Sequence, residues 1–440
     1  MCLGLWLLLL IVGVASGGAT DRLLLMGLCL AAALLALTVG PAMIWREWKN
    51  GGFMLLVPVV IGLIQLIPLP RVLLSSLAPL HATLLAPGRQ WAPLSLYPFA
   101  TLDTACLWTV YALSFAFGAV AARTPRTAAM VGGVGLTAVA LFQAVYGIIS
   151  QGLIRAPSAA VGEEAPFGIA SGTYPNRDHY ACLLAIVAPL VLAGLLFRER
   201  GLPGERRWNQ PNHASRLVVQ SLLLAVLVLG AIYSFSRGGL GALSFGLGVV
   251  LLIAAFRARG SGQRSATALA FIVLAIAIAG AGQLFGQWLS RLHPEVVQAD
   301  PRWLVWRDSL SLVADHPLLG VGLGGFPNAF LAYARARYGT GIWMDAHSEL
   351  VQLAVEIGLP GAIAVYAALL AWAGRAIRAA SNTKRNLTSA AALAGTAGGL
   401  AAFIMVSLAD FPIHVPGNTM VALTLAGYAQ TAARNAFGHE

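Results

Sequence analysis

The sequence predicts an all-α polytopic membrane protein, and three observations lead there. The chain of 440 residues is 58% hydrophobic and only 10% charged, with a mean hydropathy of +0.77. Its apolar residues fall in runs long enough to cross about 30 Å of hydrocarbon, where helices satisfy their own backbone groups. The connectors between those runs alternate in charge, as the loops of a multi-pass protein do. A formal charge of +11 does not signal nucleic acid here, because the arginines stand singly or in short clusters between apolar runs. The cysteines Cys2, Cys29, Cys106 and Cys182 lie within or beside apolar runs, with no Cys-x-x-Cys, and read as small core residues.

In chain order, twelve spans are expected: 2–17, 23–44, 53–69, 103–121, 128–152, 179–197, 215–233, 239–256, 266–282, 350–374, 388–409 and 417–433. The first ends in Val14-Ala15-Ser16-Gly17 like a signal peptide but lacks a basic lead, so it reads as an uncleaved span. One set of connectors holds Arg46 and Lys49, Arg123 and Arg126, Arg198 to Arg207, Arg257 to Arg264, Arg375 to Arg385, and Arg434 onward. It carries more than half of the Lys and Arg and under a quarter of the Asp and Glu. Such short basic loops face the cytoplasm, which puts both termini inside. The other set, 70–102, 153–178, 234–238, 283–349 and 410–416, is mixed in charge. Every stretch with chemical potential falls in that outer set. The chain reads as one integral membrane domain over 1–440, with 283–349 as a long outer loop carrying short helices.

Arg237 stands in Ser234-Phe235-Ser236-Arg237-Gly238-Gly239. It reads either as a snorkelling anchor or as a phosphate ligand whose planar fork meets a diphosphate while the glycines admit close backbone approach. Arg302, in Arg302-Trp303-Leu304-Val305-Trp306-Arg307, reads as an interfacial anchor or as Arg237's partner on one diphosphate. Gly320, Gly322 and Gly325 spell G-x-G-x-x-G, but a dinucleotide site needs a βαβ unit and these flanks are membrane spans. His347, between Asp345 and Glu349, is either structural or a base for a sugar hydroxyl. Glu349, Gln352 and Glu356 recur at helical spacing, which puts three polar groups on one face of an apolar helix. Arg177, Asp178, His179 and Arg307 read as acceptor or vestibule residues, and Asp410 and His414 are the weakest candidates. No ligand spacing supports a zinc site joining His347 to His316 or His414.

At these residues the chain resembles the O-antigen ligase/polymerase superfamily of bacterial membrane glycan transferases. From Arg302 to Gly361 it has Arg-x-x-x-Trp, Asp315-His316-Pro317-Leu318-Leu319-Gly320-Val321-Gly322, a histidine before Leu350, and Glu356-x-Gly358-x-x-Gly361, in the family's order. Gly172 to His179 resembles the family's "G-T-F-x-N-x-N-H" segment, Ser236-Arg237-Gly238 its "S-R-G" turn, and Pro93 to Pro98 with Thr101 a segment before the fourth span. Two departures bear on the acceptor: Ser348 follows the histidine where asparagine is common, and Asp178 stands where Asn is common.

The resemblance implies a GT-C-like ligase/polymerase fold in the bacterial inner membrane. It implies a periplasmic site that moves glycan from undecaprenyl diphosphate to an acceptor hydroxyl without a metal, nucleotide or other cofactor. The diphosphate arginines would be Arg237 and Arg302, and the catalytic residues His347 with Glu349 to orient it. Lipid A-core as acceptor makes the protein a ligase; a growing O-antigen or exopolysaccharide chain makes it a polymerase. A lipid-linked glycan transporter is the alternative of another class. It would show related halves and charged or broken helices near mid-membrane, whereas the polar groups here gather in outer loops. The partners are therefore lipid-linked glycan donor, acceptor and membrane lipids, and no nucleic acid.

Overall fold

The structure is a computed structural model and describes residues 2–19, 21–124, 133–153, 169–197, 213–257, 293, 295, 300–335, 343–382 and 387–437. Helices α1 (Cys2–Ala15) and α2 (Arg22–Val39) open the chain, and the Asp21 carboxylate caps α2 by accepting from Leu24 N at 3.0 Å. The run expected over 23–44 stops at Gly40, whose φ of 103° only glycine adopts readily. From there α3 (Pro41–Glu47) passes through a π turn and a 3-10 turn into α4 (Val57–Gln65). A small cap follows, made of β1 (Pro68–Pro70), α5 (Arg71–Leu77), α6 (Pro79–Leu84) and β2 (Trp91–Pro93). The two strands pair antiparallel with Pro68 opposite Pro93.

The long helices come next: α7 (Pro98–Ala121), α8 (Leu136–Leu153), α9 (Arg177–Leu196), α10 (His213–Tyr233) and α11 (Arg237–Arg257). The stretch between α11 and the next long helix contributes α12 (Arg302–Asp315) and α13 (Phe326–Phe330). Helices α14 (Glu349–Asn382), α15 (Leu387–Ser407) and α16 (Pro416–Phe437) complete the chain. Among the described residues seven helices are long and apolar enough to cross a membrane, and three shorter apolar ones accompany them. The protein is thus an all-α polytopic membrane protein, with fewer such helices described than the twelve spans expected. The span expected over 266–282 lies outside the described residues, as does most of 283–299.

Burial sorts the helices. In α9 89% of the apolar window is buried, against 39% over Gly133–Ser150, so α9 is central and α8 peripheral. Around α9 stand α10, α11 and α15, while α16 packs along α7. That last contact depends on glycine: a Cβ at Gly118 would strike the Thr424 carbonyl, and one at Gly427 the Phe115 carbonyl. Small residues let membrane helices approach this closely.

One span is broken, and the break explains the glycine-rich turn. At Gly358, φ 75° and ψ 168°, α14 leaves helical geometry, and Pro360 follows. Carbonyls freed there need donors, because hydrocarbon supplies none. Segment 317–325 lies across the gap and supplies them. Val321 N donates to Val355 O at 2.9 Å and Gly322 N to Glu356 O at 3.3 Å, while Leu359 N donates to Pro317 O at 2.8 Å. Gln65 pins the crossing, donating to Glu356 O at 2.7 Å and accepting from Leu323 N at 2.9 Å. Gly320, Gly322 and Gly324 all have positive φ here. The G-x-G-x-x-G string therefore repairs a broken helix, with no βαβ unit around it.

Candidate functional site

Four chain segments bring charged groups to one end of the bundle. At the first, Asn176 caps α9 by accepting from Asp178 N at 2.8 Å, which fixes Arg177 and Asp178 at the helix start. At the second, Ser234 Oγ accepts from Ser236 N at 3.1 Å and Ser236 Oγ from Gly239 N at 3.0 Å, so the two serines set the turn that presents Arg237. Gly239 serves packing there, since a Cβ would run into Ala181, whereas a Cβ at Gly238 would meet only Val406 at 4.0 Å. At the third, Asp300 Oδ1 accepts from Arg302 N at 3.1 Å at the start of α12. The fourth is the turn after α15, with Ala409 and Asp410.

These segments enclose a cavity of ≈ 50 Å³ lined by Arg177, Asp178, Phe235, Arg237, Gly238, Arg302, Ala409 and Asp410. Arg237 and Arg302, far apart in sequence, meet around it. Each is held. Arg237 Nη2 lies 2.8 Å from Asp300 Oδ2, and Arg302 donates to Ala409 O at 2.9 Å and stands 3.6 Å from Asp178. The cavity thus faces three arginines and two carboxylates, a setting for a multiply charged anion.

His347 stands at its edge through Asp410. The imidazole Nδ1 is 3.3 Å from Asp410 Oδ1, and the ring lies between Trp343 and Phe411 at centroid distances of 5.2 and 4.9 Å. Burial alone would raise the Asp410 carboxyl, but the His347 hydrogen bond and the charges of His179 and Arg302 hold it below the usual value. An ionised Asp410 accepts from Nδ1–H and leaves Nε2 as the proton acceptor. The backbone is strained here too. Among the described residues the non-glycine positions with positive φ are Ala19, Phe235 and His347, and the last two border this site.

Glu349, expected to orient His347, is turned elsewhere. Its buried carboxylate accepts from Ile413 N at 2.5 Å and His414 N at 3.0 Å, and its Oε2 lies 3.1 Å from His414 Nδ1. Only Ser348 separates Glu349 from His347, but the left-handed turn at His347 sends the two side chains apart. The carboxylate on His347 is Asp410. Glu356 takes the other side of His414, 3.7 Å from Nε2, and accepts from Gly324 N at 2.8 Å. Gln352 between them accepts from Ala346 N at 2.9 Å and donates to Asp345 at 3.2 Å. The polar stripe of α14 is therefore a clamp that holds segment 343–347, the 412–414 turn and the glycine-rich turn in register. Burial opposes charge on His414, but the Glu349 and Glu356 carboxylates carry its pKa well above the usual imidazole value.

The remaining sequence candidates fall out as follows. Arg177 and Asp178 line the cavity, while Arg307 does not and reaches to the neighbouring Asp308 at 3.0 Å. His179 is buried, its ring edge-on to Phe411 at 4.7 Å, with neither nitrogen partnered among the described residues. Among those residues no group of three His, Cys, Asp or Glu is placed to hold a metal ion. Sequence reasoning missed Asp300 and ranked Asp410 last. For Asp410 the available signal was a carboxylate in a very short turn between two apolar runs.

A family model described as O-antigen ligase matches residues 222–366. Through this stretch, about a third of its length, the chain is similar to the O-antigen ligase family. The match contains Arg237, Arg302 and His347, and leaves Arg177, Asp178 and Asp410 outside it. The match supports an enzyme in general, of the ligase/polymerase type. No curated protein matches the chain.

Proposed function

We propose that the chain is an O-antigen ligase-type glycosyltransferase, moving glycan from undecaprenyl diphosphate to a hydroxyl of lipid A-core at the periplasmic face of the inner membrane. The observation that carries this reading is the meeting of Arg237 and Arg302 on one cavity, with the Asp410–His347 pair at its edge. In the step, the acceptor oxygen attacks C1 of the donor sugar as the C1–O bond to the diphosphate breaks. The bonding pair leaves on the diphosphate, where Arg237 and Arg302 stabilise the growing charge. His347 Nε2 takes the acceptor proton, held in orientation by Asp410 at Nδ1. A single displacement inverts the anomeric centre.

Transfer from purified undecaprenyl-diphosphate glycan tests this with variants at matched protein level. His347→Ala and His347→Gln are both expected to lose activity by roughly 10²- to 10⁴-fold, since glutamine keeps a hydrogen bond but accepts no proton. Glutamine retaining more than about a tenth of wild-type transfer overturns His347 as base. Arg237→Lys and Arg302→Lys are expected to fail by about 10²-fold or more, because an ammonium does not reproduce the planar fork. In cells lacking the protein, polymer persisting on undecaprenyl diphosphate but absent from lipid A-core supports the ligase. Accumulated single repeat units would instead mark a polymerase with the same donor chemistry.

A further inference from the structure

Within the cavity the three arginines are not equivalent. Arg237 has Asp300, and Arg302 has Asp178 and the Ala409 carbonyl. Arg177 lines the same cavity, and its Nη1 is buried with no hydrogen-bond partner among the described residues. A guanidinium nitrogen shut away from water without an acceptor is unfavourable, and nearly all such buried groups are satisfied in folded proteins. The Asn176 cap fixes the backbone that carries it at the start of α9. Room is also available. One water needs about 10–15 Å³ by the same measure, so ≈ 50 Å³ takes a group of phosphate size.

We infer that Arg177 is a third phosphate contact, its guanidinium turning to donate to a diphosphate oxygen once the lipid-linked donor is bound. This rests on the donor reading above and deepens it. The residue moves from the vestibule to the leaving-group side of the reaction. Charge balance supports it. With Asp300 included, three carboxylates already neutralise the three arginines, so an incoming diphosphate gains most from a donor that no carboxylate occupies. Arg177 is that donor. It opens α9, the most buried of the long apolar helices, and the contact therefore sits on a rigid element rather than on a mobile loop.

The test is binding of undecaprenyl diphosphate to the full-length protein in phosphatidylcholine nanodiscs, with undecaprenol as the uncharged probe of the same tail. Arg177→Gln and Arg177→Ala are expected to weaken undecaprenyl diphosphate about tenfold or more, the scale of a lost charge-assisted hydrogen bond. Undecaprenol binding is expected to stay at the wild-type level, which also reports a folded protein. Arg177→Lys, which keeps a point charge, is expected to fall between. Wild-type diphosphate affinity in Arg177→Gln, together with loss in Arg237→Ala, overturns the Arg177 contact and leaves the donor reading standing. Wild-type affinity in Arg237→Ala and Arg302→Ala as well overturns both. Equal weakening of undecaprenol and undecaprenyl diphosphate in every Arg177 variant also overturns the contact, because the loss then belongs to packing.

Discussion

At Asp178 this chain carries a charge where the motif that its segment resembles has an amide, and the structure gives that difference a consequence. The Asp178 carboxylate stands 3.6 Å from Arg302 Nη2, with both side chains partly exposed. It occupies the fork that the donor diphosphate is proposed to need. A partly exposed pair of this kind is worth about 0.2–1 kcal/mol. Asp178→Asn is therefore expected to tighten undecaprenyl diphosphate binding by about 1.4- to fivefold. Weaker binding in the variant would show that Asp178 assists rather than competes. Asp410 differs in kind. Its carboxyl lies below the ordinary range, so the stability it contributes is present above that range and is lost only as pH falls through the lowered value. Asp410→Asn keeps shape but removes the charge that fixes the His347 tautomer, and transfer is expected to drop by roughly 10²-fold or more with donor binding kept. As candidates, Arg237 and His347 stood out in the sequence because each borders an apolar span where charge is rare, and Arg302 because it stands beside two tryptophans in the long loop. Asp410 was not, since its partner His347 lies across the whole α14–α15 hairpin and the nearer Glu349 was the natural guess.

Among elements, α14 shows most plainly what pattern reading could not reach. An apolar stretch with Glu349, Gln352 and Glu356 on one face reads as a single amphipathic span, and that much of it was legible. The break at Gly358 was not, because a lone glycine before a proline is common in membrane helices and the donors that mend it lie in segment 317–325. The β1–β2 ribbon was hidden for another reason. Pro68, Pro70 and Pro93 are poor strand formers, tolerated here because both strands are edges. A Cβ at Gly358 would meet the Leu318 carbonyl at a φ of 75°, so Gly358→Ala is expected to lower thermal stability in detergent by several degrees. Gly238→Ala, in open space, is expected to leave it within error; equal effects would mean the break is not strained. The clamp on His414 adds a pH dependence of known sign. Its pKa is raised on folding by Glu349 and Glu356, so the stabilisation is full below the ordinary imidazole value and is lost as pH rises through the raised one. His414→Gln is expected to remove that dependence and to cost about 3–5 kcal/mol, the scale for stranding a buried charge.

For the whole molecule, the two ends of the bundle differ chemically, and the difference predicts an orientation. One end gathers Arg177, Arg237, Arg302, His347 and Asp410. The helices that start there finish among the basic connectors. Arg257, closing α11, donates to the Ala380 carbonyl at 2.7 Å near the end of α14. Arg375 reaches Gln430 in α16 at 3.2 Å, and Arg123 pairs with Glu47. The end where Arg123, Arg257 and Arg375 stand is the one that the short basic connectors mark for the cytoplasm, so the cavity is expected on the periplasmic side. Cysteine labelling of intact cells measures this directly once Cys2, Cys29, Cys106 and Cys182 are replaced. Ser76→Cys, exposed on α5, and Ala334→Cys, after α13, are expected to react with a membrane-impermeant maleimide. Asn382→Cys, exposed at the end of α14, is expected to react only after lysis. The opposite pattern inverts the protein. A cavity facing the cytoplasm would meet neither a flipped lipid-linked glycan nor the outer-leaflet lipid A-core, and the transfer proposed above would have no acceptor.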